Sequence, residues 1–300
     1  MPGSKRRVRV ALRRFWSDNL TPQALFAGLP FLFDHFDFVI DPDPDFVIFS
    51  SYPGALPAGR AVRIFYTGEN VRPDMSACDW AFSFDYDEEL RHPRHLRLPN
   101  YKRLGAGTDL IKPPGRAESI LSDKTQFCNF VYHAEAPVRL EFFDKLSRYA
   151  RVDAPGRSRQ NLPPIGGHPD STSSRYAPGY HRQKIEFQRR YKFTIAFENA
   201  SWPGYTTEKI YHAMLADTVP IYWGNPLVHR DFNTRSFLNA ADFASLDDLV
   251  DAVAALDRDE DRYLAHLREP WYPGNRPTRY VDDAVILDRF QQIFGEGGAG

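Results

Sequence analysis

The sequence predicts an α/β protein of two units, and three observations carry that expectation. Apolar runs of strand length alternate with helical stretches in both halves of the chain. An aperiodic, Gly/Pro-rich stretch, Thr108 to Asp123, separates the halves. Tyr191 to Pro226 reads as strand, loop, helix, strand, with polar residues where its first strand ends and its helix begins. That edge is where open α/β sheets bind ligands, and a helix N-terminus there favours an anion.

Composition narrows the classes. With 300 residues there is room for one large domain or two ordinary ones, and 42% hydrophobic with 26% charged residues suits a globular protein with a substantial core. A formal net charge of −1 gives no reason to expect a nucleic-acid partner. Cys78 and Cys128 lie in or beside predicted strands and read as core thiols, with no metal-ligand spacing. No run approaches the roughly 20 apolar residues of a membrane span. The opening MPGSKRRVRVALRRFW lacks the apolar core of a signal peptide, so a cytoplasmic protein is expected. Lys5, Arg6, Arg7, Arg9, Arg13 and Arg14 read as the solvated edge of a first strand. Weak peripheral contact with anionic lipid at the inner face of a membrane is the other reading.

In chain order, Val8 to Leu12 is a strand, and Leu20 to Leu32 an aromatic loop with room for a short helix. Asp41-Pro42-Asp43-Pro44-Asp45 leads into a strand at Phe46 to Phe49. Its Asp-x-Asp spacing is one that some sugar transferases use to hold a divalent metal, but two prolines before a strand favour a plain turn. Asp85-Tyr86-Asp87 has the same spacing and is equally weak. Ala61 to Tyr66 is a strand that delivers Thr67-Gly68-Glu69-Asn70. Glu69 then sits at a strand's C-terminal edge, where functional side chains project, although a single loop glutamate is ordinarily only solvated. Asp79 to Phe84 is a strand, and Arg91 to Arg103 an exposed basic loop.

In the second half, Thr125 to Tyr132 is a strand. Pro137 to Tyr149 is a helix with Leu140, Phe143, Leu146 and Ala150 spaced for one buried face. Arg139 falls in its first turn, where the helix dipole disfavours a cation unless an anion shares the site; a surface arginine is the plain alternative. Arg151 to Val152 begins a short strand, Arg157 to Tyr180 is a long loop suited to a lid or rim, and His181 to Tyr191 is a basic helix. Lys192 to Phe197 and Val219 to Trp223 are strands flanking a helix at Thr206 to Asp217. Glu208 and Lys209, in that helix's first turn, read by themselves as ordinary solvated residues. Helices follow at Asp242 to Asp257, Asp259 to Leu267 and Asp282 to Phe294, the last with a core-facing stripe of Ile286, Phe290, Ile293 and Phe294; Gly295 to Gly300 should fray. The expected domains are 1–118, 119–270, and a closing helical segment, 271–300, packing back on the first domain.

Three blocks then carry a resemblance. Phe197-Glu198-Asn199, Tyr205-Thr206-Thr207-Glu208-Lys209 and Val219-Pro220-Ile221-Tyr222-Trp223-Gly224 resemble, in order and spacing, the signature of the α1,3/α1,4-fucosyltransferases, glycosyltransferase family 10. Phe65 to Asn70 is similar to that family's first-domain loop. Phe127 to Val131 with Ala136 to Arg139 is similar to the strand and helix that open its second domain, and Asp231-Phe232-Asn233 extends the match. The resemblance implies a GT-B fold, two Rossmann-like domains facing each other across a cleft. It implies inverting transfer of L-fucose from GDP-β-L-fucose to a glycan hydroxyl, expected to be O3 of N-acetylglucosamine or glucose, to give an α-fucoside with no metal cofactor. On the matching positions, Glu69 is the general base; Arg139, Asn199, Tyr205, Glu208 and Lys209 contact the donor; Glu198 shapes the site. Lys209 and Arg139 with the helix N-terminus would stabilise charge on the departing diphosphate, and Glu208 would accept from a ribose hydroxyl. One departure is Tyr132-His133-Ala134 where the family often has Ser-Asn, so a backbone or His133 contact is expected to substitute. Two other readings stand beside this one: a transferase of the same fold using another nucleotide sugar, and a non-catalytic glycan- or nucleotide-binding protein.

Overall fold

A computed structural model describes residues 5–57 and 59–296. The chain divides into two compact units. The first holds residues up to Thr108, the short segment Pro203–Tyr205 and the chain from Pro277 onward; the second holds Asp109–Trp202 and Thr206–Arg276. The units thus part at Thr108 rather than at the expected Glu118. Part of the stretch expected to be a linker is instead a helix, Ala117–Ser122, in the second unit.

The first unit is a six-stranded sheet of β1 (Arg6–Arg13), β2 (Phe36–Ile40), β3 (Phe46–Phe49), β4 (Val62–Tyr66), β5 (Trp80–Ser83) and β6 (His95–Arg97), in the order β2-β1-β3-β4-β5-β6. Every neighbouring pair is parallel. A parallel sheet is covered on both faces, which is why β3 is apolar and buried throughout. The closing helix, Asp283–Glu296, supplies one cover: Ile286, Phe290, Ile293 and Phe294 join the core of this sheet. The Phe294 ring meets Phe36, Phe38 and Phe46 at centroid separations of 5.1, 5.6 and 4.8 Å. Gly295 still belongs to this helix, and the end of the tail expected to fray, beyond Glu296, lies outside the described residues.

Two strands of this unit have no counterpart in the sequence expectation. In β2 the buried Phe36 and Phe38 alternate with the exposed Asp37, a half-buried strand signal. In β6 every residue is buried, although its basic segment suggested an exposed loop. The reason is Arg97, whose guanidinium donates to the Phe84 carbonyl at 3.0 Å and lies 4.0 and 4.5 Å from the ring centroids of Tyr86 and Tyr280.

The second unit is a five-stranded parallel sheet of β7 (Gln126–Asn129), β8 (Val152–Asp153), β9 (Tyr191–Phe197), β10 (Val219–Trp223) and β11 (Leu238–Asn239), ordered β11-β10-β9-β7-β8. Its core joins Cys128, Phe193, Ile195, Phe197 and Ile221 to the apolar faces of flanking helices, among them Phe142 and Leu146 of Pro137–Leu146 and Leu249, Val253 and Leu256 of Leu246–Asp257. The two-residue β11 is too short to leave a pattern in the sequence and was not among the expected strands. Pro220 sits inside β10 without breaking the ladder. β11 pairs only with Ile221 and Tyr222, so no partner on that side needs the missing N–H. The long loop after β8 contains a further short helix, Ser171–Tyr176, capped by the Asp170 carboxylate, which accepts from the Ser173 amide. Both cysteines are free and buried. Among the described residues no helix is long and apolar enough to cross a membrane.

Candidate functional site

At its C-terminal end β9 hands the chain to Glu198 and Asn199, and the helix Glu208–Leu215 starts after its N-cap, Thr207. Glu198 ties strand to helix. Its fully buried carboxylate accepts from the Thr207 amide and the Thr207 hydroxyl, both at 2.7 Å, and from Lys209 Nζ at 3.0 Å. A carboxylate beneath a helix N-terminus also meets the positive end of the helix dipole. Gly224, just past β10, makes room for it: a Cβ there would fall 2.5 Å from Glu198 Cγ. Lys209 Nζ further donates to Thr207 Oγ1 at 3.1 Å, which leaves one of its three protons for another acceptor. Burial works against the Lys209 charge, but Glu198 and Glu208 outweigh it and hold its pKa above that of a free lysine. The Glu208 carboxylate accepts from its own backbone amide and from no side chain among the described residues. Burial would raise its pKa, yet Lys209, Lys184 and His212 together hold the carboxyl well below the usual range. It is an ionised acceptor with lone pairs to spare beyond that backbone hydrogen bond.

Arg139 stands in the first turn of Pro137–Leu146, behind Pro137 at the helix start. It is fully buried rather than on the surface. Its guanidinium lies 3.9 Å from the Tyr132 ring centroid and donates to the carbonyls of Ala134 (2.8 Å) and Phe197 (3.1 Å) and to Asn199 Oδ1 (2.7 Å). Its Nε has no partner, and among the described residues no carboxylate pairs with it. Arg139 therefore places an uncompensated cation at the end of β9 and fixes Asn199, whose amide nitrogen is left for a ligand. Tyr132 and His133 are engaged elsewhere: the Tyr132 hydroxyl donates to the Ile195 carbonyl at 2.8 Å, and His133 Nε2 lies 2.5 Å from that of Ser171.

The other two site residues belong to the first unit. Tyr205 is buried there, its ring edge-on to Phe84 at 5.2 Å. Glu69 follows β4 and is exposed. The Tyr52 hydroxyl donates to its carboxylate at 3.0 Å, and its amide donates to Thr67 Oγ1 at 3.1 Å. Asn100 Nδ2 holds the Gly68 carbonyl at 2.7 Å. This loop is well anchored, with a solvent-facing carboxylate oriented by one phenol.

Neither Asp-x-Asp pair forms a metal site. Asp43 is almost fully exposed and Asp45 pairs with Arg9 at 2.5 Å, while the buried Asp85 pairs with Arg72 at 2.5 Å and accepts from Ser83 Oγ at 2.7 Å. Among the described residues, no group of three or more His, Cys, Asp or Glu side chains is placed to hold a metal.

Sequence reasoning missed Tyr52, Thr207 and Lys184 as parts of the site. Of these Lys184 left a signal. On the helix Tyr180–Gln188 the buried residues are Tyr180, Lys184 and Gln188, one stripe at helical spacing with a lysine in its middle.

Two Rossmann-like units in one chain, the second with a cation-lined strand edge, define a protein of the GT-B class. Comparison with known proteins gives the family. The family model described as glycosyltransferase family 10 (fucosyltransferase) C-term matches residues 121–278, and that of the alpha-(1,3)-fucosyltransferase FucT N-terminal domain matches residues 12–103. The chain belongs to glycosyltransferase family 10. It is 32% identical to Alpha-(1,3)-fucosyltransferase FucT of Helicobacter pylori over 243 residues, 70% of this chain and 47% of that protein. The chain thus spans about half the length of that relative. A crystal structure of α1,3-fucosyltransferase with GDP superposes with a TM-score of 0.78 at 26% identity, covering 99% of this chain and 92% of the other. A second, with GDP-fucose, gives 0.76 at 25% identity, covering 98% and 92%.

Proposed function

We propose that this protein transfers L-fucose from GDP-β-L-fucose to a hydroxyl of a glycan acceptor, with inversion, and that the hydroxyl is O3 of N-acetylglucosamine or glucose. The observation that carries the reading is the buried, carboxylate-free Arg139 bonded to Asn199, with Lys209 at the head of the following helix and both cations near Tyr132. Such a cluster suits a diphosphate, and the likeness to α1,3-fucosyltransferase structures with GDP and with GDP-fucose supports the nucleotide. The remaining Lys209 proton and the helix N-terminus stabilise charge growing on the β-phosphate as it leaves. Glu208, ionised and without a side-chain partner among the described residues, accepts from ribose hydroxyls. Glu69 is the general base: it takes the proton of the acceptor hydroxyl as that oxygen bonds the anomeric carbon. The carbon–oxygen bond to the β-phosphate breaks on the opposite face, and its electron pair leaves with GDP. Attack opposite a β-linked leaving group yields the α-fucoside.

Thermal-shift measurements with GDP, UDP and ADP, followed by GDP-fucose assays on lactose, N-acetyllactosamine, chitobiose and N-glycan cores, test this reading. Stabilisation by GDP alone and α-fucoside formation on one acceptor class are expected. Stabilisation by UDP but not GDP would sink it.

A further inference from the structure

Lys184 is a buried cation of the second unit that fucosyl transfer by Arg139, Lys209 and Glu69 leaves without a task. The helix Tyr180–Gln188 packs along the helix Glu208–Leu215 and turns Lys184 toward it. Lys184 is 6% exposed and, among the described residues, makes no hydrogen bond or ion pair. Its strongest charged neighbour is Glu208, then Lys209, Glu198 and Arg175. Two imidazoles stand close by, His181 and His212, their ring centroids 5.2 Å apart. Burial holds both below the usual histidine range, so neither is charged at neutral pH. Burial also pushes the Lys184 ammonium down to about 8, against the pull of Glu208, and so leaves it mostly charged at pH 7. A buried ammonium without a hydrogen-bonded partner is costly and calls for an anion.

Resting on the donor-site reading, we propose that Lys184 is a third cation for the donor's diphosphate and contacts the phosphate attached to the nucleoside. The placement follows the order of groups along the donor. Arg139 and Lys209 lie where β9 meets the helix start and face the outer phosphate. Glu208, one residue before Lys209, faces the ribose. Lys184 joins this row from the neighbouring helix, packed against the one that carries Glu208 and Lys209 and with both as charged neighbours, and in this proposal its ammonium sits between ribose and outer phosphate. That is the position of the inner phosphate. The local charge agrees: Arg139, Lys184 and Lys209 against Glu198 and Glu208 leave an excess of one cation before any helix dipole is added.

The test compares GDP, GMP and guanosine binding to the intact chain and to Lys184→Met, which keeps the apolar stem. Lys184→Met should weaken GDP and GMP alike, by about 10- to 100-fold, because both carry the inner phosphate, and should leave guanosine unchanged. Lys209→Met should weaken GDP far more than GMP. Unchanged GDP and GMP affinity in Lys184→Met would overturn the proposal, as would an equal loss for guanosine, which would move Lys184 to the ribose or base. Should the methionine variant melt before binding can be read, Lys184→Gln and Lys184→Arg decide: loss in the first with recovery in the second is expected, and equal affinity in both overturns it. If the wild-type protein prefers another nucleotide, the donor reading fails by itself, and the same comparison with that nucleotide's mono- and diphosphate still decides the role of Lys184.

Discussion

Glu198→Gln tests the knot at the heart of the second unit. In the native protein the Glu198 carboxylate is fully buried and accepts from the amide and hydroxyl of Thr207 and from Lys209. Glutamine keeps one acceptor oxygen and turns the other position into a donor facing the donors of Thr207 and Lys209. Breaking a buried ion pair by removing one partner costs about 3–5 kcal/mol. The Lys209 side chain is 13% exposed, so water relieves part of this and about 3 kcal/mol is the better figure. For a unit of this size that corresponds to a fall in Tm of about 6–12 °C. The donor reading adds a second, sharper expectation. With its carboxylate gone, Lys209 is free to pair with phosphate, so saturating GDP should raise the Tm of Glu198→Gln by more than it raises the wild type. Differential scanning calorimetry with and without GDP measures both. A fall below about 2 °C, less than 1 kcal/mol on the same scale, would refute the account of Glu198 as the strand-to-helix tie. An equal or smaller GDP shift would refute the claim that Lys209 meets the diphosphate.

Glu69→Gln should lower kcat by about 10²–10⁴-fold with GDP affinity unchanged, and wild-type turnover by that variant removes Glu69 as the base. Tyr52→Phe, which deletes the phenol that orients this carboxylate, should lower kcat by about two- to tenfold in the same assay. GDP affinity should be full below about pH 7 and fall as the pH rises through about 8 to 9, because anion binding favours the protonated form of Lys184, whose ammonium is held at about 8. Of the groups facing it from the neighbouring elements, Arg175 among them, His181 and His212 are already neutral, Glu208 is ionised, Lys209 stays charged, and burial holds the Tyr180 phenol up at about 12. Isothermal titration across that range should show the step in the wild type and lose it in Lys184→Met; a step of the same size in both would refute the assignment.

Local pattern carried much of the architecture. β3, β9 and β10 are short apolar runs bounded by breakers, and they fold as strands because a sheet covered on both faces asks only for that. The helix Glu208–Leu215 announces itself by apolar spacing, so a polar strand edge at Glu198 and Asn199 was legible in residue order, while Glu208 and Lys209 stood out only through the family resemblance. The stripe Ile286, Phe290, Ile293 and Phe294 was likewise readable as core-facing, since helical periodicity is a property of the segment itself.

What tertiary structure decided is where side chains go once distant surfaces cover them. Arg139 in a first helical turn reads by default as a surface cation; the Tyr132 ring and the carbonyls of Ala134 and Phe197, brought together by sheet pairing, make it a buried one. Arg97 turns a basic loop into a buried strand because Tyr86 and a tyrosine far along the chain, Tyr280, flank it. Tyr205, next to Thr206 of the second unit, belongs to the first because its ring finds Phe84. Lys184 acquires meaning only when the Tyr180–Gln188 helix is laid against the Glu208–Leu215 helix. Periodicity and capping act over a few residues and survive in the sequence; burial of a charge depends on partners far along the chain, and only the folded chain supplies them.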